Sequence, residues 1–417
     1  MKSRFLRDLL TLFGGGGMAQ LINALAIPLA TQFYSPAEFG LFSLFIAVTT
    51  LFLSLSTGRY EHAVMLPKEE ETAFGLVRLA LAWCAGMSLA LGGLSWWLGP
   101  GLTGRFGHPE LAPLLAYSPA FLLAVGCFST LTFWFNRHER YRVLAASKVV
   151  QACVTAGAWV SFGVARWSAA GLVLGNILGW VGGGLCLAMV LVRRGLPRLA
   201  APMAEVARAY RSFPLYAMPA GTLHFLSANL SFFVFGYLYS AAEVGQFSLA
   251  YRALCAPVVV THQAFQQVVS KELTRNPDRP RFYLRQYAVV LGVLGAMLVP
   301  VSLAGPWLFR LVFGPEWLEA GRIARWLAFW VLVSFATESL TYAFAAAHRN
   351  AVLLLWRVGY LAGLVALFGA AGQVPLETAV QWYAMYGVVA YALLGWLGWL
   401  AARSIPKEVL LDDVPPP

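Results

Sequence analysis

Charge is scarce in this sequence, and its absence is patterned. Asp, Glu, Lys and Arg make up 12% of the 417 residues, about half the share usual in soluble domains. Long stretches hold none of the four, and they recur along the whole chain. Also missing are the roughly 10-residue alternating segments of a transmembrane β-barrel. Cysteine provides no framework. Cys84, Cys127, Cys153, Cys186 and Cys255 all lie in apolar stretches without paired spacing, which suits small packing or lipid-facing residues rather than disulfides or a metal site. No connection is long enough for a soluble catalytic domain, and no Walker motif or metal-ligand cluster occurs. These absences count against most enzymes.

What is present is apolar, at 59% of residues. A helix needs about 20 apolar residues to cross a bilayer. Reading from one charge to the next predicts twelve such helices, within 9–34, 38–58, 74–99, 111–135, 143–165, 168–192, 213–239, 243–267, 284–306, 320–346, 350–372 and 377–402. The charge-free run from Leu9 to Ala37 is too long for a signal-peptide core and reads as an uncleaved first helix. The acidic, proline-rich end from Asp412 to Pro417 reads as a disordered tail.

The net charge of +11 is read as orientation rather than nucleic-acid affinity. With the N-terminus in the cytoplasm, five of the 30 Lys and Arg residues fall outside: Arg105, Arg166, Arg310, Arg322 and Arg325. Arg252 falls within a span, and the other 24 face the cytoplasm. A missed helix would scramble that contrast. Both termini are therefore expected in the cytoplasm.

An internal repeat organises the spans. Tyr34-Ser-Pro-Ala-Glu-Phe-Gly-Leu-Phe-Ser-Leu44 and Tyr239-Ser-Ala-Ala-Glu-Val-Gly-Gln-Phe-Ser-Leu249 agree at 8 of 11 positions. A weaker echo joins the stretch around Arg137-His138 to that around His348-Arg349. Six helices separate the copies, so the halves share one orientation. The expected fold is an all-α integral membrane protein of about 12 transmembrane helices. They should form two pseudo-symmetric six-helix bundles, 1–200 and 201–417, around a central cavity, as in transporters built from parallel repeats.

Five stretches carry a resemblance: the Tyr34 repeat motif, Gly58-Arg-Tyr-Glu-His-Ala-Val-Met-Leu-Pro67, Trp134-Phe-Asn-Arg-His-Glu-Arg-Tyr141, Phe213-Pro-Leu-Tyr-Ala-Met-Pro219 and Gly245-Gln-Phe-Ser-Leu-Ala-Tyr-Arg-Ala-Leu-Cys-Ala-Pro257. Their order and spacing resemble the oligosaccharide (O-antigen-type) flippases of the multidrug, oligosaccharidyl-lipid and polysaccharide exporter superfamily. The resemblance covers most of 1–280. It implies a non-enzymatic protein of the bacterial inner membrane that moves undecaprenyl-diphosphate-linked oligosaccharide from the cytoplasmic to the periplasmic leaflet by alternating access. It also implies work alongside a polysaccharide polymerase and glycosyltransferases, with membrane lipids as the surroundings.

Such a cargo brings a diphosphate and sugars past hydrocarbon, so cations inside the spans are informative. Each costs about 2.5–3.5 kcal/mol on insertion scales unless paired or hydrated. Arg252 lies two and a half turns into the eighth span, and its planar fork suits phosphate. The repeat puts Ala47 at the matching place, so duplication does not explain the charge. The alternative for Arg252 is an ion pair with Glu338. Arg59, beside Glu61 and His62, could receive the diphosphate or serve as a positive-inside anchor. Lys148 and Arg357 fall near equivalent helix starts in the two halves. Asn23, His224 and Asn229 could bond sugar hydroxyls or join helices. Pro28 and Pro219 are expected to interrupt their helices. Glu338 could bind a coupling proton or sodium ion, or neutralise a basic neighbour; no other cofactor is expected. A multidrug or cation antiporter of the same superfamily is the nearest alternative. A peptidoglycan-precursor flippase usually has two further helices. A membrane polymerase or glycosyltransferase would need a large loop or catalytic domain.

Overall fold

A computed structural model describes residues 2–195, 201–276, 278–371 and 374–405. Among them the chain is helical with no β-strand. Twelve helices coincide with the expected spans: α1 (Lys2–Ala30), α2 (Pro36–Leu51), α3 (Glu70–Arg105), α4 (Ser118–Arg137), α5 (Tyr141–Val164), α6 (Ser168–Arg194), α7 (Met218–Leu238), α8 (Ala241–Arg275), α9 (Arg279–Phe313), α10 (Leu318–Glu338), α11 (Asn350–Ala371) and α12 (Leu376–Arg403). Eight helical segments among the described residues are long and apolar enough to cross a membrane; Gly16–Ala30, Pro36–Leu51 and Ala228–Leu238 are apolar but shorter. Short helices follow several spans, as at Leu53–Ser56 and Tyr60–Ala63 after α2 and Tyr342–Ala346 after α10. Trp96, Trp97 and Trp307 project from the ends of α3 and α9, largely exposed, as interfacial tryptophans do.

The repeat motif is a helix start. Ser35 caps α2 by accepting from the Glu38 backbone N–H, while the Glu38 carboxylate accepts from the Ser35 N–H at 2.7 Å. In the second copy, Glu243 accepts from the Ser240 N–H at 3.0 Å and Ser240 Oγ from the Glu243 N–H at 3.4 Å. Both are capping boxes, which satisfy two otherwise orphaned helix N–H groups. The motif glycines meet each other. A Cβ on Gly40 would lie 1.7 Å from the Ala241 carbonyl oxygen, and one on Gly245 1.7 Å from that of Pro36. Pro36 and Ala241 are themselves matching positions of the repeat, so the contact is reciprocal. The weaker echo is a shared helix ending. Glu139 and His348 are both left-handed (φ 53° and 54°). The next N–H donates five residues back, Arg140 to Phe135 at 2.9 Å and Arg349 to Phe344 at 2.8 Å, which satisfies carbonyls left open at a helix C-terminus.

Contacts divide the chain into two compact units, Met1–Gly245 and Gln246–Pro417. That division differs from the repeat boundary at 200/201. A repeat is a relation of sequence and a unit one of packing: α7 opens the second repeat yet packs on α2. In the first unit α6 presents Gly171, Gly175, Gly179 and Gly183 at four-residue spacing to α5, the small-residue face that lets membrane helices approach closely. Tyr34, ahead of α2, donates its hydroxyl to the Trp159 carbonyl at 3.0 Å. In the second unit α9 bends at Ala304 (φ −118°, ψ 18°), between Pro300 and Pro306. Gln246 ties α8 to the start of α10, donating to the Glu316 carbonyl at 2.7 Å and accepting from the Ala320 N–H at 2.9 Å.

Candidate functional site

The first unit gathers its polar groups where α2 ends. Gly58 and Arg59 are both left-handed, at φ 59° and 60°. Glycine adopts this freely, whereas arginine does so at about 1–2 kcal/mol. The turn reverses the chain into the short helix Tyr60–Ala63 and brings the Arg59 side chain against α7. There its Nε donates to Ser54 Oγ at 3.0 Å, and Ser54 donates to the Met218 carbonyl at 2.8 Å. Nη1 donates to His62 Nε2 at 2.9 Å. The guanidinium carbon sits 5.8 Å from the centre of the Phe225 ring, within cation–π range. The fourth side is Gly221, whose missing Cβ would stand 2.0 Å from Nη2. Arg59 is thus fixed by one helix end and one helix face.

Its neighbours form a second layer. Glu61 is only 5% exposed and accepts a short hydrogen bond from the Thr57 hydroxyl. His62 Nε2 lies 3.6 Å from the Glu61 carboxylate, and its ring packs 4.6 Å from that of Phe133 on α4. Burial holds the His62 imidazole below its ordinary value; Glu61 opposes this and Arg59 adds to it. Since guanidinium only donates, His62 Nε2 must accept, so His62 is neutral here with its proton on Nδ1.

The start of α7 is irregular. Residues Phe213–Ala217 form a π turn, and the α-helix begins at Met218. The expected interruption therefore lies before Pro219. That proline falls in the first turn of α7, where a missing N–H costs nothing. Pro28 lies within α1, two residues from its end.

The remaining candidates separate. Asn229 donates to the Phe225 carbonyl at 2.9 Å, one turn from the Arg59 contact. The side chain of His224 lies outside the described residues. Asn23 on α1 and Lys148 on α5 are half-buried, and among the described residues neither makes a hydrogen bond or ion pair with the Arg59 group.

In the second unit, Arg252 donates from Nε to Ser248 Oγ at 3.1 Å, one turn earlier on α8. Glu338, at the end of α10, lies 3.9 Å from Arg357 on α11, with side chains 30% and 52% exposed. The ion pair observed at Glu338 is thus with Arg357. Nearby, Tyr360 stacks between Trp356 (5.2 Å, 8°) and Tyr386 (5.5 Å, 15°). Tyr386 donates to the Tyr360 carbonyl at 3.0 Å, so this ladder joins α11 to α12.

Sequence reasoning missed Ser54, Gly221 and Phe225. Ser54 precedes Arg59 by five residues, which offered a weak signal; the other two are brought in only by the fold. Among the described residues no three His, Cys, Asp or Glu side chains could jointly hold a metal. The arrangement around Arg59 is suited to an anion: a cation at a helix junction, held by neutral partners that an oxyanion can replace.

A family model described as polysaccharide biosynthesis protein matches residues 30–322. An uncharacterised protein of Mycobacterium tuberculosis is 30% identical over 148 residues, 35% of this chain and 34% of that protein. One of Mycobacterium bovis is 28% identical over 226 residues, 53% and 51%. The chain spans about a third to a half of the length of these curated relatives. Among solved structures, an inward-facing multidrug resistance MATE family transporter of the MOP superfamily superposes with a TM-score of 0.72 at 13% identity, over 94% of this chain and 96% of that one. The lipid II flippase MurJ in an inward closed conformation gives 0.72 at 11%, over 95% and 90%. A MOP superfamily transporter from Pyrococcus furiosus gives 0.57 at 13%, over 95% of each chain. These likenesses establish the fold.

Proposed function

The chain belongs to the polysaccharide biosynthesis protein family, and from that premise we propose that it is a flippase for a lipid-linked oligosaccharide. The cargo is an undecaprenyl-diphosphate-linked oligosaccharide, moved from the cytoplasmic to the periplasmic leaflet of a bacterial inner membrane, both termini cytoplasmic. The observation that carries this reading is the setting of Arg59. Its guanidinium is oriented by Ser54, His62, Gly221 and Phe225, and among the described residues no carboxylate is bonded to it directly. Phosphate oxygens can displace the serine and histidine and keep the fork geometry. Arg252, bonded to a serine, supplies a second guanidinium within a span. Asn23, Asn229 and His224 are assigned to sugar hydroxyls, and Lys148 and Arg357 to the cytoplasmic approach of the headgroup. Glu338 is assigned to a coupling proton or sodium ion, with Arg357 as its counter-charge. Polymerase and glycosyltransferases of the same polysaccharide are the expected working partners.

The test is reconstitution in liposomes with a fluorescent short-chain polyprenyl-diphosphate oligosaccharide. The reading expects protein-dependent movement between leaflets. No movement of any diphosphate-linked lipid, alongside robust export of a cationic dye, would replace it with a multidrug antiporter.

A further inference from the structure

Beside the Arg59 guanidinium lies a pair of groups that anion binding alone does not use, His62 and the buried Glu61. His62 Nε2 accepts from Arg59 Nη1 at 2.9 Å and lies 3.6 Å from Glu61. One nitrogen lone pair is therefore shared between a cation that occupies it and a carboxylate that would stabilise a proton on it. We propose that His62 is a proton-binding site linked to the anion site: a diphosphate that takes Arg59 Nη1 frees His62 Nε2 to bind one proton. This rests on the reading of Arg59 as the diphosphate receptor.

The balance is simple. In the empty site the Arg59 N–H points at Nε2, so protonation there would set N–H against N–H and cation against cation. When a phosphate oxygen accepts from Nη1, that donor leaves the imidazole. The freed lone pair then takes up a proton from the buffered solution, which is the proton the measurement counts. The new Nε2–H has two acceptors at hand, the Glu61 carboxylate and the phosphate. No bond other than N–H forms, and nothing is oxidised or reduced.

Among the described residues, few groups face His62. Its own segment supplies Arg59 and Glu61, with Thr57 bonded to the latter. The α4 side presents the uncharged Phe133 ring. Two other basic side chains at this end, Arg137 and His138, are engaged elsewhere. Arg137 donates to the Val64 and Lys68 carbonyls at 3.0 and 3.3 Å, and His138 lies 3.4 Å from Glu70. The empty-site imidazole is held below its ordinary value by burial and by Arg59, with Glu61 opposing. Removing the Arg59 contact and adding a phosphate both act in the other direction, so the anion raises it. Between the two values, binding takes up a proton and tightens as pH falls, by up to about tenfold per pH unit for one linked proton.

The experiment is calorimetry of a short-chain dialkyl diphosphate binding to the purified protein in detergent. A diester is chosen because it carries no group that titrates near neutrality. Measurement at one pH in two buffers of different ionisation enthalpy gives the protons taken up. The expected result is uptake of up to one proton near pH 6–7 by the wild type, and affinity that rises on acidification. His62→Gln keeps an acceptor for Arg59 but cannot be charged; its affinity should be flat with pH and its uptake absent. Binding that Arg59→Ala abolishes, with no uptake by the wild type, overturns the proton site and leaves the diphosphate reading standing. Uptake that survives in His62→Gln also overturns it. Wild-type affinity in Arg59→Ala, or no binding by the wild type, overturns the diphosphate reading and the proton site with it.

Discussion

Replacing Gly221 with alanine separates what the Arg59 setting does for transport from what it does for folding. The added methyl would stand 2.0 Å from Arg59 Nη2, 2.7 Å from its Cζ and 2.3 Å from Ser54 Oγ. Ordinary contact lies near 3.5 Å, so the guanidinium must retreat by about 1.5 Å. The atoms in the way are ends of side chains, not backbone, so α7 need not move. A retreat of that size breaks the 3.0 Å bond to Ser54 and the 2.9 Å bond to His62. Each is charge-assisted and worth about 1.5–3 kcal/mol at most. Alanine in place of a helical glycine returns about 0.5–1 kcal/mol, so with two bonds lost net stability should fall by about 2–5.5 kcal/mol. On the proposed role of Arg59, transport depends on where the fork points. Losing about 1.4–2.8 kcal/mol of pre-organisation predicts a 10- to 100-fold slower flip. The assay is leaflet exchange of the fluorescent diphosphate lipid in liposomes, with thermal unfolding of the same preparation. In an Arg59→Ala background, Gly221→Ala should slow exchange no further, since its effect passes through Arg59. Wild-type exchange by Gly221→Ala, or additive losses in the double variant, would refute the assignment.

Three further substitutions probe other parts of the molecule. Arg252→Ala should abolish exchange while leaving expression intact, and Arg252→Lys should retain part of it; normal exchange by the alanine variant removes Arg252 from the mechanism. Gly40→Ala puts a methyl 1.7 Å from a backbone oxygen, which no side chain can relieve. It should cost about 3 kcal/mol or more, read as a lower melting temperature than for Gly16→Ala, whose site has open space. Glu338→Gln breaks a half-exposed pair worth about 0–1 kcal/mol. It should leave the melting temperature in place while removing the dependence of exchange on an imposed ion gradient; unchanged gradient dependence would end the coupling assignment.

The helices were legible because a bilayer leaves a chain little choice. Every backbone group must be bonded within its own helix, so charge-free runs translate directly into α1 to α12. The capping boxes were legible too, as Ser-x-x-Glu ahead of an apolar run. The partition into units was not. That α7 packs on α2 is decided by contacts far apart in sequence, and the repeat is silent about them. For the same reason α8 gave an incomplete picture. Gln246 interrupts an apolar pattern, and only the fold supplies its partners, Glu316 and Ala320, whereas Ser248 lies one turn before Arg252 on the same helix.

Arg59 and Arg252 looked alike as residues and differ in what surrounds them. Depth within a span is a sequence quantity, and it singled out Arg252. Orientation is a property of neighbours, and it is what recommends Arg59. A guanidinium serves recognition when its fork is held in place before the ligand arrives, because ordering a long side chain otherwise costs about 1.5–2 kcal/mol. Ser54 and Gly221 are 167 residues apart in the chain, yet together they remove that cost at Arg59. No local pattern marks such a pair. A serine near a helix end and a glycine in an apolar helix each have commoner explanations, in capping and in helix packing. What identifies them is that Ser54 Oγ accepts from the guanidinium at 3.0 Å and that a Cβ at Gly221 would stand 2.0 Å from it. The same logic makes Gly221 a sharper test than Arg59 itself. Removing the arginine deletes a charge, an ion-binding fork and a helix contact at once, whereas one methyl at Gly221 moves the fork and leaves the charge.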